Sequence, residues 1–237
     1  MALSLAGASC RITAPSANGA PIVCITFDDG HQSVWEHALP VLQDHGFPAT
    51  NFINSGRVGN PNLLTWDQVR SLEIGHGWET GGHTLDHEDL AQLSYEQAEL
   101  AINLDLENLV AQGLDPRGFA LPAGVCPAEY YDIITRQYDY IRSIVDMSMH
   151  QPLNRYALGY FPFHTGWTAG HLITRVKRGI ANGEALIVLG FHTIGAEGGY
   201  NADCPVPEFA RIIDYVGQTG LRVMTLSAAL EELGALD

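Results

Sequence analysis

Residues 21–31 read Pro-Ile-Val-Cys-Ile-Thr-Phe-Asp-Asp-Gly-His, a short apolar run that ends in two carboxylates and a glycine. The apolar part is rich in β-branched residues, which predicts a strand covered on both faces in a parallel sheet. Asp28 and Asp29 are not core residues, so we expect them at the carboxyl end of this strand. That is the rim where α/β folds place their chemistry.

Strand and helix patterns alternate along the rest of the chain. The predicted strands are 21–25, 48–53, 78–81, 117–121, 140–145, 185–191 and 221–226, and the predicted helices are 34–45, 65–72, 95–112, 128–137, 168–182, 206–219 and 228–234. Capping-box patterns at 65–68 and 94–97 mark two of the helix starts. Alternating strand and helix units imply a parallel sheet. About seven of them favour an α/β fold built as a distorted or incomplete (β/α) barrel.

The length of 237 residues suits one α/β domain with a large core. We expect residues 1–20 to form an N-terminal extension and residues 21–237 to form a single catalytic domain. No apolar run approaches the roughly 18 residues that a membrane-spanning helix needs. The first 20 residues lack a basic n-region and a long h-region, so no intact secretion signal is predicted.

The charge balance is the strongest global signal. There are 27 acidic and 12 basic residues, which gives a net charge of -15. Such a surface repels phosphate backbones and anionic bilayers, so nucleic acid is not expected as a partner. Four cysteines without C-x-x-C spacing argue against a zinc ribbon or a thioredoxin-like site.

Groups suited to metal binding follow several of the predicted strands. Asp28 and Asp29 follow the first, His83 and His87 follow the third, and His192 follows the strand at 185–191. Two histidines four residues apart can converge on one metal ion, and a carboxylate from another strand end would complete the site. Open positions would remain for water and substrate.

Simpler interpretations exist for each element taken alone. Ten histidines make a chance H-x-x-x-H pair common, and Asp-Asp-Gly often forms a tight turn or a helix N-cap. The glutamate of the H-E-x-x-H metallopeptidase pattern is absent, because Thr84 follows His83. We interpret the preceding Gly81-Gly82 pair as a point where the backbone turns sharply at a strand end.

Four segments together resemble one family. They are I-T-F-D-D-G-H at 25–31, T-G-G-H-T-L-D-H-E-D-L at 80–90, F-A-L-P-A-G at 119–124 and L-I-V-L-G-F-H at 186–192. Their order and spacing are similar to those of the NodB-type polysaccharide deacetylases, carbohydrate esterase family 4. The resemblance covers nearly the whole chain, from about residue 22 to 226.

The resemblance implies a role for each matching residue. Asp28 would be the general base, and His192 would protonate the leaving group. Asp29, His83 and His87 would hold a divalent metal, with zinc favoured and cobalt or nickel as alternatives. The loop of Pro122, Ala123 and Gly124 would supply the oxyanion donor through the backbone N–H of Ala123.

Several positions depart from the family pattern. The R-x-P-Y-G form of the third motif is absent, and with it the arginine that pairs with the base; we hypothesise that Arg142, on the next strand, supplies that charge. Asp146 resembles the aspartate that tunes the acid histidine. Gly190 stands where a leucine would line the acetyl pocket, so we expect a wider or reshaped pocket, closed by Phe191 or Trp167.

The sequence therefore predicts a metal-dependent hydrolase that removes acetyl groups from a carbohydrate. The favoured substrate is an N-acetylglucosamine polymer of the chitin, poly-N-acetylglucosamine or peptidoglycan type. Alternatives are an acetylxylan O-acetyl esterase, a small-molecule amide hydrolase and a catalytically impaired carbohydrate-binding protein. We expect a secreted or cell-envelope location with the signal outside this sequence, and a cytoplasmic location is left open.

Overall fold

The computed structural model describes residues 19–196 and 202–236. The N-terminal extension predicted for residues 1–20 lies almost entirely outside these described residues. Seven strands form one parallel sheet, in the order β5-β4-β3-β2-β1-β7-β6. The strands are β1 (Ile22–Asp28), β2 (Thr50–Ile53), β3 (Glu79–Gly82), β4 (Gly118–Ala120), β5 (Tyr140–Arg142), β6 (Phe161–Pro162) and β7 (Leu186–Phe191).

The sheet curls but does not close by strand pairing, because β5 and β6 are its two edges. An isolated parallel bridge between Arg142, the last residue of β5, and Leu158, which precedes β6, lies at the gap between those edges. Every strand pair in this sheet is parallel. The predicted α/β fold with an incomplete barrel of about seven parallel strands is therefore confirmed.

The helices cover the outer face of the sheet and one end of its inner face. They are α1 (Leu39–His45), α2 (Trp66–Arg70), α3 (Tyr95–Ala111), α4 (Tyr131–Thr135), α5 (Ala169–Asn182), α6 (Val206–Thr219) and α7 (Leu226–Glu232), and two further strands, β8 (Thr193–Ile194) and β9 (Asp203–Cys204), form a small separate pair. Both predicted capping boxes are present, at Thr65 before α2 and at Ser94 before α3. Within the described ranges, no helix combines the length and the apolar character needed to cross a bilayer.

One predicted strand is wrong and another was missed. Residues 221–226 contribute only an isolated bridge between Val23 and Val223, and α7 begins at Leu226. The seventh strand is instead β6, a two-residue edge strand that pairs with β7. A strand this short, with a proline as its second residue, carries too little alternation to be seen in a sequence.

Two layers of core lie on the two faces of the sheet, and strand alternation assigns each residue of β1 to one of them. Val23, Ile25 and Phe27 pack outward against the helices. Ile22 and Cys24 pack inward, where the inner layer also holds α7. Because side chains alternate with a period of two, Asp28 points to the interior of the curl at its carboxyl end.

Candidate active site

The predicted metal ligands come together at the carboxyl rim of the sheet. Asp29 follows β1, and His83 and His87 lie in the loop after β3. One ligand atom from each of the three residues lies within 4.8 Å of the others. The Oδ1 atom of Asp29 is 3.5 Å from Nε2 of His83 and 3.4 Å from Nε2 of His87. The chain therefore brings two nitrogens and one oxygen to a single point.

The backbone at this point adopts conformations that few residues accept. Asp29, Thr84 and His87 all have positive φ, at 71°, 64° and 62°. Left-handed backbone at a non-glycine residue costs free energy and is concentrated at functional sites. The sharp turn predicted at Gly81-Gly82 is instead made at Thr84.

The two glycines serve close packing within β3. A Cβ at Gly81 would lie 2.6 Å from the ring of Phe52, and one at Gly82 would lie 2.3 Å from the hydroxyl of Tyr138. No side chain larger than hydrogen fits at either position without a shift of these neighbours.

His83 is oriented for ligation by its second ring nitrogen. Nδ1 lies 2.8 Å from the carbonyl oxygen of Ala120, which can only accept, so Nδ1 carries the proton. The lone pair is then on Nε2, the atom that faces Asp29. Metal-binding histidines are commonly held in this way by a backbone carbonyl. The donor set and its orientation fit a divalent first-row ion.

The backbone of His83 is held from the other side by Asp105, a buried residue of α3. One carboxylate oxygen accepts the N–H of His83 at 3.0 Å, and the other accepts the N–H of Ser55 at 2.9 Å. Burial raises the pKa of Asp105 to about 7, against the opposing effect of these hydrogen bonds. Sequence reasoning missed this residue, although an acid in the buried stripe of α3 was a signal.

The site also contains a histidine that the sequence analysis did not assign. Nε2 of His31 lies 3.4 Å from Oδ2 of Asp29, the oxygen that does not face the other two histidines. Burial raises the pKa of Asp29, but the hydrogen bonds from His31 and His83 outweigh it, and the net pKa lies well below the ordinary value. Asp29 is therefore a carboxylate. The signal for His31 was its position directly after the Asp-Asp-Gly motif.

The pKa values of the two histidine ligands move in opposite directions. Burial lowers the pKa of His83, but its hydrogen bond to Asp29 and the nearby carboxylates raise it by more. Burial and then the neighbouring charge of His83 lower the pKa of His87. A metal ion requires neutral imidazoles, so binding would release any proton held by His83.

Asp28 is paired with Arg142, the residue hypothesised from sequence to supply the missing charge. Nη2 of Arg142 lies 2.5 Å from Oδ1 of Asp28, and both side chains are buried, at 0% and 4% exposed. Nε2 of His192 lies 3.8 Å from Oδ2 of the same carboxylate. Burial lowers the pKa of His192, opposed by the charges of Asp28 and Asp29. Asp28 thus lies between an arginine and a histidine.

The loop after β4 carries Ala123 at the same rim. Ala123 is exposed and has a φ of 52°, and Gly124 follows with a φ of 71°. Pro122, which precedes Ala123, is buried. The hydrogen bond from His83 to Ala120 ties the end of β4, where this loop begins, to the metal-ligand cluster.

Three other predicted site residues, Phe191, Trp167 and Asp146, lie away from this cluster. Phe191 is fully buried among Phe27, Phe163 and Phe209, because strand alternation turns it outward from the curl. Trp167 stacks on His171 beside α5, against the outer core layer. Neither residue closes a pocket over the site.

Asp146 is bound by two arginines of α5. Its carboxylate lies 3.1 Å from Arg175 and 2.6 Å from Arg178. These contacts give it a role in holding α5, and they do not support the prediction that it tunes His192.

The curled parallel sheet carries a carboxylate, an acid–histidine cluster and a further histidine at its carboxyl rim, which places the protein in the (β/α)-barrel class with a candidate metal site. A model of the polysaccharide deacetylase family matches residues 16–143, more than half of the chain. The protein belongs to this family, the NodB-type carbohydrate esterases of family 4, as the four sequence motifs predicted.

One curated relative is named for its action on an N-acetylglucosamine polymer. The chain is 35% identical over 75 residues to the poly-beta-1,6-N-acetyl-D-glucosamine N-deacetylase of Staphylococcus aureus (strain MRSA252). The match covers 30% of this chain and 26% of that protein. The chain thus spans about a quarter of the length of this relative.

Two solved structures share the fold over most of the chain. A family 4 acetyl xylan esterase from Clostridium thermocellum, in complex with a cobalt ion, superposes with a TM-score of 0.63 at 18% identity, covering 90% of this chain and 92% of the other. A pseudoenzyme of carbohydrate esterase family 4 from Bacillus anthracis superposes with a TM-score of 0.65 at 18% identity, covering 91% of this chain and 67% of the other. At these identities the likeness shows the fold alone.

Proposed function

We propose that the protein is a metal-dependent carbohydrate deacetylase that hydrolyses N-acetyl groups of an N-acetylglucosamine polymer or oligomer. The observation that carries this proposal is the joint placement of two groups of side chains. Asp29, His83 and His87 converge on one point, and Asp28 lies between Arg142 and His192 at the same rim. One group suits a divalent metal, and the other suits proton transfer.

Asp29, His83 and His87 would hold the metal through one oxygen and two nitrogens. Zinc is favoured by this donor set, and cobalt or nickel are compatible with it. A divalent ion in such a site supplies Lewis acidity and makes water a nucleophile near neutral pH. The cobalt ion bound to the Clostridium thermocellum esterase supports the choice of a first-row ion.

The remaining residues would move protons and stabilise charge. Asp28 accepts a proton from the attacking water, whose oxygen adds to the acetyl carbonyl carbon. The backbone N–H of Ala123 donates to the oxyanion that forms. His192 then donates a proton to the nitrogen as the C–N bond breaks, which yields acetate and a free amine. Arg142 holds the Asp28 carboxylate in place through their buried ion pair.

The substrate class rests on the relatives as well as on the site. The Staphylococcus aureus relative is named for a β-1,6-linked N-acetylglucosamine polymer, and the acetyl xylan esterase is an O-acetyl counterpart on the same fold. We place the protein outside the cytoplasm or in the cell envelope, where polymers of this kind are found.

The test is acetate release from four substrates after the protein is stripped with a chelator and reloaded with zinc or cobalt. The substrates are chitooligosaccharide, a β-1,6-linked N-acetylglucosamine oligomer, peptidoglycan fragments and acetylxylan. We expect release from an N-acetylglucosamine substrate, dependence on the metal, and loss of release in Asp28→Asn.

Metal content gives a second readout that does not depend on activity. We expect one equivalent of bound zinc in the wild type and in Asp28→Asn, and loss of zinc in His83→Ala. The exposed His164 provides the matched control variant, His164→Ala, which should bind as much zinc as the wild type does. Stoichiometric metal with glycan binding but no acetate release would refute the enzymatic proposal in favour of a binding protein.

A further inference from the structure

The guanidinium group of Arg142 lies over two aromatic rings. Its Cζ atom is 4.1 Å from the ring centroid of Tyr160 and 5.1 Å from that of Phe52. Arg142 is fully buried, and Tyr160 is 3% exposed. A cation held over an aromatic face away from water is stabilised by the quadrupole of the ring. The two rings therefore both stabilise the guanidinium group in its buried position.

The ring of Tyr160 occupies space that Gly190 leaves open. Tyr160 directly precedes β6, which pairs with β7 so that Pro162 lies beside Gly190. A Cβ at Gly190 would lie 1.6 Å from the ring of Tyr160, closer than any real contact. A wider or reshaped pocket was predicted at this glycine, but the ring of Tyr160, the residue before β6, fills the space.

The hydroxyl of Tyr160 faces the same carboxylate that Arg142 binds. The oxygen is buried away from water. Burial raises the pKa of this phenol well above its usual range, and the charge of Asp28 and a hydrogen bond to it act in the same direction. Tyr160 thus contacts the arginine with its ring and faces Asp28 with its oxygen.

We propose that Tyr160 is a positioning residue that holds Arg142 against Asp28, and that Gly190 is required because it makes room for the ring. The inference rests on the proposed function for the role of Asp28 in turnover. Arg142 reaches Asp28 from β5, across the interior of the curl. A long side chain in that position loses rotamer freedom, and the stacked rings reduce the number of arrangements that compete with the ion pair.

The first experiment compares Tyr160→Leu and Tyr160→Phe in acetate release by the zinc-loaded protein. We expect Tyr160→Leu to lower kcat by about 30-fold, which corresponds to the roughly 2 kcal/mol of a desolvated cation–π contact, with KM changed by less than about twofold. Tyr160→Phe keeps the ring and should retain most of the turnover. Metal content should equal that of the wild type in both variants.

A matched control lies in the same segment. The guanidinium group of Arg155 is 4.9 Å from the ring of Tyr156, a cation–π pair outside the site. Tyr156→Leu removes that pair, and it should leave kcat unchanged. In an Arg142→Met background, Tyr160→Leu should cause little further loss, because the residue it positions is already absent. Additive losses, or a wild-type kcat in Tyr160→Leu, would overturn the inference.

A third measurement needs no activity and separates this inference from the proposed function. The coupling between Asp28 and Arg142 is measured by a double-mutant cycle of unfolding, with Asp28→Asn and Arg142→Met. We expect this coupling to fall by at least half when the cycle is repeated with Tyr160→Leu. An unchanged coupling refutes the positioning role even if no substrate is deacetylated. If the wild type releases no acetate but the coupling between Asp28 and Arg142 falls as expected in Tyr160→Leu, the proposed function is refuted and the positioning role of Tyr160 stands.

The role of Gly190 is tested by a reciprocal pair of variants. Gly190→Ala alone should lower the midpoint of denaturant unfolding, because the methyl group meets the ring of Tyr160. Combining it with Tyr160→Leu should raise the midpoint again, since the smaller side chain leaves room. A Gly190→Ala protein as stable as the wild type would show that the ring does not need this space.

Discussion

At the scale of single residues, the site depends on groups that hold other groups in place. His83 is fixed through its Nδ1 atom by Ala120 and through its backbone by Asp105. Asp28 is fixed by Arg142, which itself contacts the rings of Tyr160 and Phe52. Contacts of this kind determine which lone pair or oxygen is presented to a metal or a substrate.

His31 contacts Asp29 on the oxygen that faces away from the other histidines. We expect His31→Ala to weaken zinc affinity by about 10–100-fold, the range for residues that orient a metal ligand. Competition with a chromophoric chelator measures the affinity. The exposed His164 serves again as the control, and equal affinity in His31→Ala and the wild type would show that Asp29 needs no such support.

Arg142 forms a buried ion pair, and removing one partner of such a pair strongly destabilises the folded protein. Removing Arg142 leaves the Asp28 carboxylate buried without its positive partner. We therefore expect Arg142→Ala to lower the free energy of unfolding by about 3–5 kcal/mol and to lower kcat. Denaturant unfolding and acetate release measure the two effects.

The exposed Arg211, which pairs with Glu208 on the surface, is the control for this prediction. Arg211→Ala should change the free energy of unfolding by less than about 1 kcal/mol. Equal stability of the two variants would mean that Asp28 does not depend on Arg142.

At the scale of elements, the carboxyl ends of five strands deliver the site. β1, β3, β4, β5 and β7 end at the same rim because all neighbours in the sheet are parallel. Helix α3 supports this rim from outside the sheet, since Asp105 reaches the loop after β3 and the chain after β2. Chemistry at the rim is thus coupled to the packing of a helix on the outer face.

Asp105 accepts one backbone N–H on each of its two carboxylate oxygens. An asparagine side chain has only one oxygen, and its NH2 group cannot accept the second N–H. We expect Asp105→Asn to lower the free energy of unfolding by about 1–3 kcal/mol, the cost of a buried donor left unpaired. It should also weaken zinc binding, because the backbone of His83 loses its partner. Urea unfolding and chelator competition measure the two effects.

The exposed Glu107 on the same helix provides the comparison as Glu107→Gln. That variant should match the wild type in both measurements. Unchanged zinc affinity in Asp105→Asn would show that α3 does not position His83.

At the scale of the whole molecule, a buried acid links the opposite end of the sheet to the last helix. Glu79, at the start of β3, accepts hydrogen bonds from Thr50, Tyr140 and the backbone N–H of Ser227 in α7. Burial raises its pKa above the ordinary value of 4.5. Burial, and then the charge of Glu79, raise the pKa of the Cys24 thiol well above its ordinary value.

The raised pKa predicts how stability changes with pH. The folded protein holds the proton of Glu79 more tightly than the unfolded chain does. Its contribution to stability is therefore full below about pH 4.5 and is lost as the pH rises through the raised pKa of the folded state. Glu79→Gln should remove this part of the decline, measured as the free energy of unfolding between about pH 4 and 8.

Glu107→Gln should leave the pH dependence as it is in the wild type, since its side chain is exposed in α3. Parallel curves for Glu79→Gln and the wild type would show that Glu79 is ionised in the folded protein. The link between β3 and α7 would then be an ionic hydrogen-bond network.

Much of the architecture is decided by short-range patterns. The β-branched run of β1, the two capping boxes and the alternation of strands and helices are local properties, and the structure confirms them. The positions of Asp28, Asp29, His83, His87 and His192 at strand ends follow from the same patterns. A parallel sheet brings its strand ends to one rim, so the sequence alone determined that these residues would meet.

Only the tertiary structure decided which side chains touch. The pair of Asp28 and Arg142 joins residues 114 positions apart; the sequence predicts both near the rim, but the curl of the sheet brings their side chains into contact. The ring of Tyr160 fills the space at Gly190 because the curl of the sheet brings β6 beside β7. Phe191 turns outward for the same reason that Gly190 turns inward: successive residues of a strand face opposite sides, and the curvature of the sheet determines which side encloses the site.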